Sequence, residues 1–324
     1  MLTRIISTGS YMPEKVMTNH DLERMVETSD EWITERTGIK ERRIARPDQA
    51  ASDLALEAAK RALKKAQLKV DKIDLIIVAT VSGDMPIPST ACILQKKLGA
   101  VNAAAMDINA ACSGFIYALS VADAFIKSGK YKKVLVVGAE VLSKFTDWQD
   151  RTTCVLLGDG AGAAVLVPDH GRGILSVDIY SDGRLWDLLH IPAGGSVMPA
   201  SKETVEKRLH YVKMKGNETF KVAVRTLETL VVETLKKNNL KPSQLSLLIP
   251  HQANLRIIKA TAERLGLPME KVVVNLTRYG NTSAASIPVA LDEAVEEGRV
   301  KDGDYIMLEA FGGGLTWGSA LIRW

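Results

Sequence analysis

Two stretches of this chain, about 170 residues apart, run through the same succession of helix, turn, strand and glycine-rich segment, and this repetition limits the fold more than any other feature. In the first, the amphipathic run Ser52 to Ala66 places Leu54, Ala58, Ala62 and Leu63 at helical spacing ahead of the buried-strand run 75–79. In the second, Phe220 to Leu240 places Val224, Leu227, Val231 and Leu235 on one helical face, and the strand run 245–249 follows. Laying Leu75 on Leu247 gives an offset of 172, Lys97-Leu98-Gly99 meets Arg264-Leu265-Gly266 at 167, and Val134 meets Tyr305 at 171. Gly158-Asp159-Gly160-Ala161-Gly162 and Gly312-Gly313-Gly314 each lead into an apolar strand. So long a period indicates a duplication into paired halves, 1–170 and 171–324, each able to enclose its own core. Alternating helices and strands predict an α/β fold of parallel-rich sheets covered by helices. The segment Gly183 to Gly216 has no counterpart in the first copy and reads as an insertion, either a wall of a site or a surface excursion.

Composition narrows the function classes. With 324 residues there is room for two cores, and 42 Lys+Arg against 38 Asp+Glu leave a formal charge of +4, too small to argue for a nucleic-acid groove. Cys92, Cys112 and Cys154 lack the C-x-x-C spacing of a zinc or redox site and cannot all pair, which fits a reducing cytoplasm. The first 16 residues lack the charged lead and apolar stretch of an export signal. The most apolar runs, 75–81 and 134–142, are too short to span a bilayer, so no membrane role is expected.

Chemistry concentrates at three positions. In Ala105-Met106-Asp107-Ile108-Asn109-Ala110-Ala111-Cys112-Ser113-Gly114-Phe115 an apolar strand pattern yields to small residues and then to a helical stretch, so Cys112 stands at a strand-to-helix elbow. The positive end of that helix is expected to lower its pKa and favour the thiolate. Cys92 and Cys154 lack the turn and read as structural. His251 closes a strand run, where sites in α/β sheets gather. Asn281 lies in Gly280-Asn281-Thr282-Ser283, before another helix, and the duplication sets it in the position that Cys112 holds in the first copy. Two facing elbows would bring the three residues to one site.

At this point the chain resembles the β-ketoacyl-acyl-carrier-protein synthase III family, the initiating condensing enzymes of type II fatty-acid synthesis in the thiolase superfamily. The markers are Ser29-Asp30-Glu31-Trp32-Ile33 with Arg36-Thr37-Gly38-Ile39, Ala110-Ala111-Cys112-Ser113-Gly114, Gly158 to Gly162, His251-Gln252-Ala253-Asn254, Gly280-Asn281-Thr282-Ser283 and Phe311-Gly312-Gly313-Gly314, spread nearly end to end. The resemblance implies a thiolase-like five-layered α-β-α-β-α fold and a homodimer. It implies no metal or cofactor, with acyl-coenzyme A and malonyl-acyl carrier protein as substrates. Cys112 would be the nucleophile, its N–H and that of Gly313 the oxyanion hole, and His251 and Asn281 the donors to the malonyl thioester carbonyl. Trp32 and Arg151 would sandwich the adenine of coenzyme A, with Thr28, Arg36, Thr37, Gly216, Phe220 and Asn254 also binding it; indole and guanidinium planes suit a purine.

Ile87, Leu142, Leu156 and Phe311 would shape the acyl pocket. Many family members carry phenylalanine in place of Ile87, reaching across to the other subunit, so the smaller residue points to tolerance of primers beyond acetyl. Arg256, Lys259, Lys221 and Arg264 would receive the acidic carrier protein, against the opposing charge of Glu263.

A priming enzyme of polyketide or quinolone metabolism shares these motifs and stays open. A nucleotide-binding oxidoreductase does not fit, because Ala163 stands where the third glycine of G-x-G-x-x-G would fall. A scaffold without catalysis would have no reason to hold Cys, His and Asn at such elbows.

Overall fold

A computed structural model describes all 324 residues. The amphipathic runs form the helices Ala51–Lys65, which buries Leu54, Ala58, Ala62 and Leu63, and Gly216–Lys237, which buries Leu227, Val231 and Leu235. The second helix begins earlier than its apolar spacing, at Gly216, and ends earlier, at Lys237.

The first sheet runs in the order Leu2–Tyr11, Asp159–Asp169, Val134–Val141, Leu75–Ala79, Ala104–Ile108. The second runs Gly173–Ser181, Thr316–Arg323, Tyr305–Gly312, Leu247–Pro250. Beyond Leu248 the second sheet keeps one further parallel bridge, to Val272, where the first sheet has its full edge strand. Leu75 pairs in parallel with Val134, and Leu247 with Ile306, so the two sheets share one offset of 172 (247 − 75 and 306 − 134). This moves the sequence alignment of Val134 from Tyr305 to Ile306. The reason is the pleat: Val134 and Ile306 both face the central core, and a slip of one residue would turn each to the opposite face.

Between the sheets lie the helices Gly114–Lys127 and Ser286–Glu296, whose Phe115, Ile116, Ile287 and Leu291 join both sheets in one core. Full burial of side chains such as Phe115 contributes on the order of 2 kcal/mol each. Ala51–Lys65 and Thr90–Leu98 cover the outer face of the first sheet, and Gly216–Lys237 and Leu255–Leu265 that of the second. The layers are therefore α-β-α-β-α. Because both faces are covered, Leu75–Ala79 and Val134–Val141 are buried at every residue.

The stretch from Gly183 to Gly216 folds as a 3-10 turn, two short paired strands, Leu189–His190 and Lys213–Met214, and the helix Lys202–Glu206 between them. It is pinned to the first half by the buried Asp147, which accepts from Arg208 Nε at 3.1 Å, from Arg208 Nη2, and from Lys213 Nζ at 3.4 Å. The Arg208 hydrogen bonds hold the Asp147 carboxyl down to about 2. No helix is long and apolar enough to cross a membrane.

Candidate active site

Each central helix starts after a 3-10 turn, Ala111–Ser113 in the first half and Ser283–Ala285 in the second. Each turn opens on a non-glycine residue in left-handed backbone, Ala111 with φ 45° and Ser283 with φ 47°. Such strain, roughly 1–3 kcal/mol per residue, persists only where the surroundings enforce it. The offset is again 172 (283 − 111 and 286 − 114). The structural counterpart of Cys112 is therefore Ala284, and that of Asn281 is Asn109. This corrects the pairing of Cys112 with Asn281 that the duplication suggests from the sequence, which is three residues out of step.

The elbows cross over, each packing on a central strand of the other half at a position that must be glycine. A Cβ on Gly312 would lie 2.6 Å from Cys112 N, and one on Gly138 would lie 2.2 Å from the Ala284 carbonyl oxygen. The Cys112 thiol is thus set on the seam between the halves.

That thiol is buried, and its electrostatics differ from the sequence expectation. Burial pushes it up to about 11, the Ser283 side chain opposes the rise by hydrogen bonding, and the charge of Glu140 adds to it. Cys112 lies in the turn ahead of the helix and out of water, and desolvation of the thiolate outweighs the favourable end of the helix. The resting group is a protonated thiol.

His251 follows the strand Leu247–Pro250 and donates its backbone N–H to the Glu309 carbonyl at 2.7 Å. Its Nδ1 lies 2.6 Å from Ser286 Oγ, which also accepts the Gln252 N–H at 3.4 Å. Burial pushes His251 down to about 3, so the ring is neutral. In the tautomer where the Ser286 hydroxyl donates to Nδ1, the ring proton sits on Nε2 and makes that atom a donor. Asn281 is stitched to the first half, its N–H donating to Leu156 O at 2.8 Å and its C=O accepting from Gly158 N at 3.0 Å. Its Oδ1 accepts the Ser283 N–H at 2.8 Å, which turns Nδ2 into the outward donor. His251 and Asn281 are fixed by the same elbow, through Ser286 and Ser283.

A cavity of about 410 Å³ brings Cys112, Asn281, Ser283 and Gly313 together, with Leu142 and Leu156 on its wall. His251 is not among the lining residues, and it is tied to Ser286 at the start of the adjoining central helix. Two residues expected in the acyl pocket do not line it either. Phe311 faces the opposite side of its strand from Ala310 and Gly312, packs with Ala223 and Leu227, and stacks 6.5 Å from Trp317. Ile87 lies outside the cavity, 86% exposed in the single chain. Sequence reasoning missed Trp186, Leu189, His190, Ile191 and Met214, which the Gly183–Gly216 segment contributes to the wall. Its cluster of apolar residues, Trp186, Leu188, Leu189 and Ile191, was the signal available.

At the surface, the Trp32 indole lies under two guanidinium groups, Arg151 at 5.1 Å and Arg36 at 5.6 Å from its centre. Arg151 is oriented by donating to Glu27 O at 2.7 Å, and the buried Thr28 hydroxyl nearby in sequence has no partner. Thr37 is different: its hydroxyl donates to Ile33 O at 2.6 Å and accepts from Ile39 N at 3.0 Å, so its capacity is taken up by backbone. Asn254 Nδ2 donates to Arg36 O at 3.0 Å while its Oδ1 caps Arg256 N–H at 2.9 Å. Arg256 in turn covers the Phe220 ring at 4.8 Å, on the helix that Gly216 opens. A rim of stacked and hydrogen-bonded groups therefore runs from Trp32 to Phe220. Arg256, Lys259, Lys221 and Arg264 are all exposed, and Arg225, one turn beyond Lys221, adds a cation that the sequence reading left out. No group of three or more His, Cys, Asp or Glu is placed to hold a metal ion.

The layered fold and its relatives define a class first, the condensing acyltransferases of thiolase-like architecture. Models of the 3-oxoacyl-[acyl-carrier-protein] synthase III family match residues 106–183 and, as the C-terminal part, 235–324. A β-ketoacyl-[acyl-carrier-protein] synthase III of Caldanaerobacter subterraneus subsp. tengcongensis is 59% identical, the match covering 99% of this chain and 97% of that one. The crystal structure of 3-oxoacyl-[acyl-carrier-protein] synthase III from Aquifex aeolicus VF5 superposes with a TM-score of 0.92 at 54% identity, covering 99% of this chain and 100% of that one. A priming β-ketosynthase of the R1128 polyketide pathway has a TM-score of 0.91 at 36% identity, covering 99% and 96%. The chain belongs to the β-ketoacyl-acyl-carrier-protein synthase III family, and its function is acyl condensation in fatty-acid synthesis. The polyketide alternative is not favoured.

Proposed function

We propose that Cys112 takes a short acyl group from coenzyme A, and that the acyl-enzyme then condenses with a malonyl unit on acyl carrier protein. The observation that carries this reading is the meeting of Cys112, Asn281 and Gly313 on one apolar cavity, with His251 locked to the same elbow. In the first half-reaction the Cys112 sulfur attacks the thioester carbonyl, the backbone N–H groups of Cys112 and Gly313 hold the oxyanion, and coenzyme A departs. In the second, His251 Nε2 and Asn281 Nδ2 donate to the malonyl thioester carbonyl as carbon dioxide leaves. The enolate carbon attacks the acyl-Cys112 carbonyl, and the thiol is restored. Both donors are neutral, so they stabilise the enolate without a proton having to arrive first.

The Trp32–Arg151–Arg36 stack is the reading for the adenine, the orphan Thr28 hydroxyl offers it a hydrogen bond, and Asn254 lies along the pantetheine path. The chain acts as a homodimer in this reading, joined along the edge strand Ala104–Ile108, whose outer side is unpaired, with Ile87 presented to the partner's acyl pocket. Acyl carrier protein docks on the cations around Arg256. The enzyme works in the cytoplasm.

Intact-mass measurement after incubation with acetyl-, propionyl-, butyryl- and isobutyryl-coenzyme A tests nucleophile and primer together. A single acyl increment that disappears in Cys112→Ala is the expected result. No increment with any of these primers would overturn it. If acetyl outcompetes every longer primer and Ile87→Phe changes nothing, the assigned role of Ile87 fails.

A further inference from the structure

Arg42, on the strand Glu41–Ile44, is the largest of the fully buried side chains, and nothing in the condensation chemistry above uses it. Its Nη1 donates to Asn19 Oδ1 at 2.9 Å and to Met17 O at 3.3 Å, and its Nη2 donates to Val155 O at 2.8 Å. All three acceptors are neutral oxygens, and the buried Nε has no partner. Burial lowers the guanidinium only to about 10, so it keeps its charge at neutral pH. A buried charge without a counter-ion is costly, and packing alone would be served by an apolar residue of similar size. What the guanidinium adds is a rigid planar fork that holds separate acceptors at once.

The two arms of the fork lead to the two parts of the site. On the Nη1 side, the buried Asn19 donates from Nδ2 to Asp30 Oδ1 and to Ile39 O, each at 2.8 Å. Those contacts hold the first residue of the helix Asp30–Thr37, which carries Trp32 and Arg36, and the chain just past its end. On the Nη2 side, Val155 closes the short helix Arg151–Cys154, whose Arg151 covers the Trp32 ring. The residues after Val155 hold the second elbow, through Leu156 O on the Asn281 N–H at 2.8 Å and Gly158 N–H on Asn281 O at 3.0 Å. The Arg42 stem follows the same seam: a Cβ on Gly158 or Gly280 would lie 3.1 or 3.4 Å from its own Cβ. Thr153, Leu156 and Leu157, on either side of the held carbonyl, form part of the cavity wall.

We infer that Arg42 is a positioning residue that sets the coenzyme A rim and the Asn281 elbow in one register, through Asn19 on one side and Val155 on the other. The inference rests on the reading above, in which Trp32 and Arg151 hold the adenine and Asn281 donates during condensation. The fork fixes the Trp32 helix against the helix that carries Arg151, and it fixes the carbonyl next to the one that holds Asn281. Arg42 is not among the residues that line the cavity, so its effect reaches substrate only through the groups it holds. Cys112 is not on this line, which separates the expected effects on binding and condensation from those on the acylation step itself.

The test scores Arg42→Lys, which keeps the charge and loses the fork, and Arg42→Met, which keeps most of the bulk and loses the charge. Single-turnover acylation is measured against acetyl-coenzyme A concentration, and condensation with malonyl-acyl carrier protein at saturating primer, both per acylated Cys112 counted by intact mass. Each variant is expected to raise the half-saturating acetyl-coenzyme A concentration about 10-fold and to slow condensation about 10-fold, while acylation at saturation stays within about three-fold. Loss of folded protein alone would not produce that split, because activity is counted per active molecule. Asp30→Ala, at a partly exposed position, cuts only the Asn19 arm, so it should raise half-saturation and spare condensation. Added to Arg42→Lys it should raise half-saturation little further, since both cut one line. Half-saturation and condensation within about two-fold of wild type in Arg42→Lys would overturn the inference, and so would a rise in the double variant equal to the product of the single rises. If neither Arg42 variant folds, Asp30→Ala decides alone, and an unchanged half-saturation overturns the link to the rim. Unchanged half-saturation in Trp32→Ala, or unimpaired condensation in Asn281→Ala, would instead strike the reading on which the inference rests.

Discussion

Residues 109–113 and 281–285 trace one backbone path twice, each beginning with asparagine and each turning through a left-handed third residue. They differ in what the path carries. The first copy puts a thiol in the middle of its turn, where the second has the methyl of Ala284. The second puts a hydroxyl, Ser283, where the first has Ala111. Their supporting strands differ in the same complementary way: in the 172-residue frame Glu140 answers to Gly312, the glycine against which Cys112 packs. The backbone frame is symmetric, and in the proposed reading the chemistry is divided over it, with the nucleophile on one elbow and the Asn281 donor on the other, so that neither elbow alone makes a complete site.

The comparison breaks most sharply at the thiol. Cys112→Ala gives the first elbow the side chain that the second already has, and acylation should fall to the uncatalysed background with no acyl increment in the intact mass. Its fold should survive, because Ala284 occupies the same turn without difficulty. An adduct persisting in Cys112→Ala would show that the division between elbows is misassigned.

Removing one of the two donors held by the second elbow should be less severe. His251→Ala and Asn281→Ala are expected to leave acylation of Cys112 within a few fold and to slow condensation by about 10²–10³-fold each, the usual loss for one oxyanion donor. Since burial holds His251 near 3, condensation should show no acid limb at the ordinary histidine pKa. The linked stability has a definite sign. A histidine depressed in the native state makes the unfolded chain bind the extra proton, so this residue's stabilisation declines as pH falls from about 6.5 toward 3. Chemical denaturation of wild type and His251→Ala across pH 4 to 7 measures that slope, which the variant should lack.

The two glycines test whether the crossing is balanced. Gly312→Ala would set a methyl 2.6 Å from Cys112 N, and Gly138→Ala one 2.2 Å from Ala284 O, both against backbone. Each should cost roughly 1–3 kcal/mol or more, as overpacking does. Gly312→Ala should strike acylation hardest, because it moves the Cys112 N–H. Unfolding midpoints that shift for only one variant would mean that one elbow yields where the other cannot.

Much of this frame is legible in the sequence. Leu54, Ala58 and Ala62 marked a helix, and the small residues around Cys112 marked an elbow, because those signals are local. The register was not local. Only the pleat, which turns Val134 and Ile306 to the same core, shows that Cys112 answers to Ala284. Burial was equally hidden: the sequence supports a lowered thiol pKa, and depth in the seam reverses it. Phe311 was misplaced because strand alternation decides its face. Trp186 and His190 went unrecognised because their segment has no counterpart in the first copy, and the Asp147–Arg208 pair that docks it joins residues 61 apart in sequence.

The smallest expected effect concerns the carrier protein, and it separates the outer surface of the second half from that of the first. Arg256 is exposed, covers the Phe220 ring, and lies in the first turn of the helix Leu255–Leu265, with Lys259 three residues along. Glu263 on the same helix opposes them, so the charge is concentrated near Arg256. Steering between exposed charges acts on the encounter rate and is screened over about 8 Å at physiological salt. Arg256→Glu should therefore raise the apparent KM for malonyl-acyl carrier protein several-fold at low salt and much less at high salt. Acylation depends on coenzyme A reaching Cys112, and Arg256 offers Asn254 only its backbone N–H, which the substitution keeps. The acylation rate should stay within about two-fold, because rim charges away from the reacting atoms contribute little beyond encounter. Equal salt dependence in wild type and Arg256→Glu would remove this surface as the docking site and shift attention to Lys221 and Arg225 on the neighbouring helix.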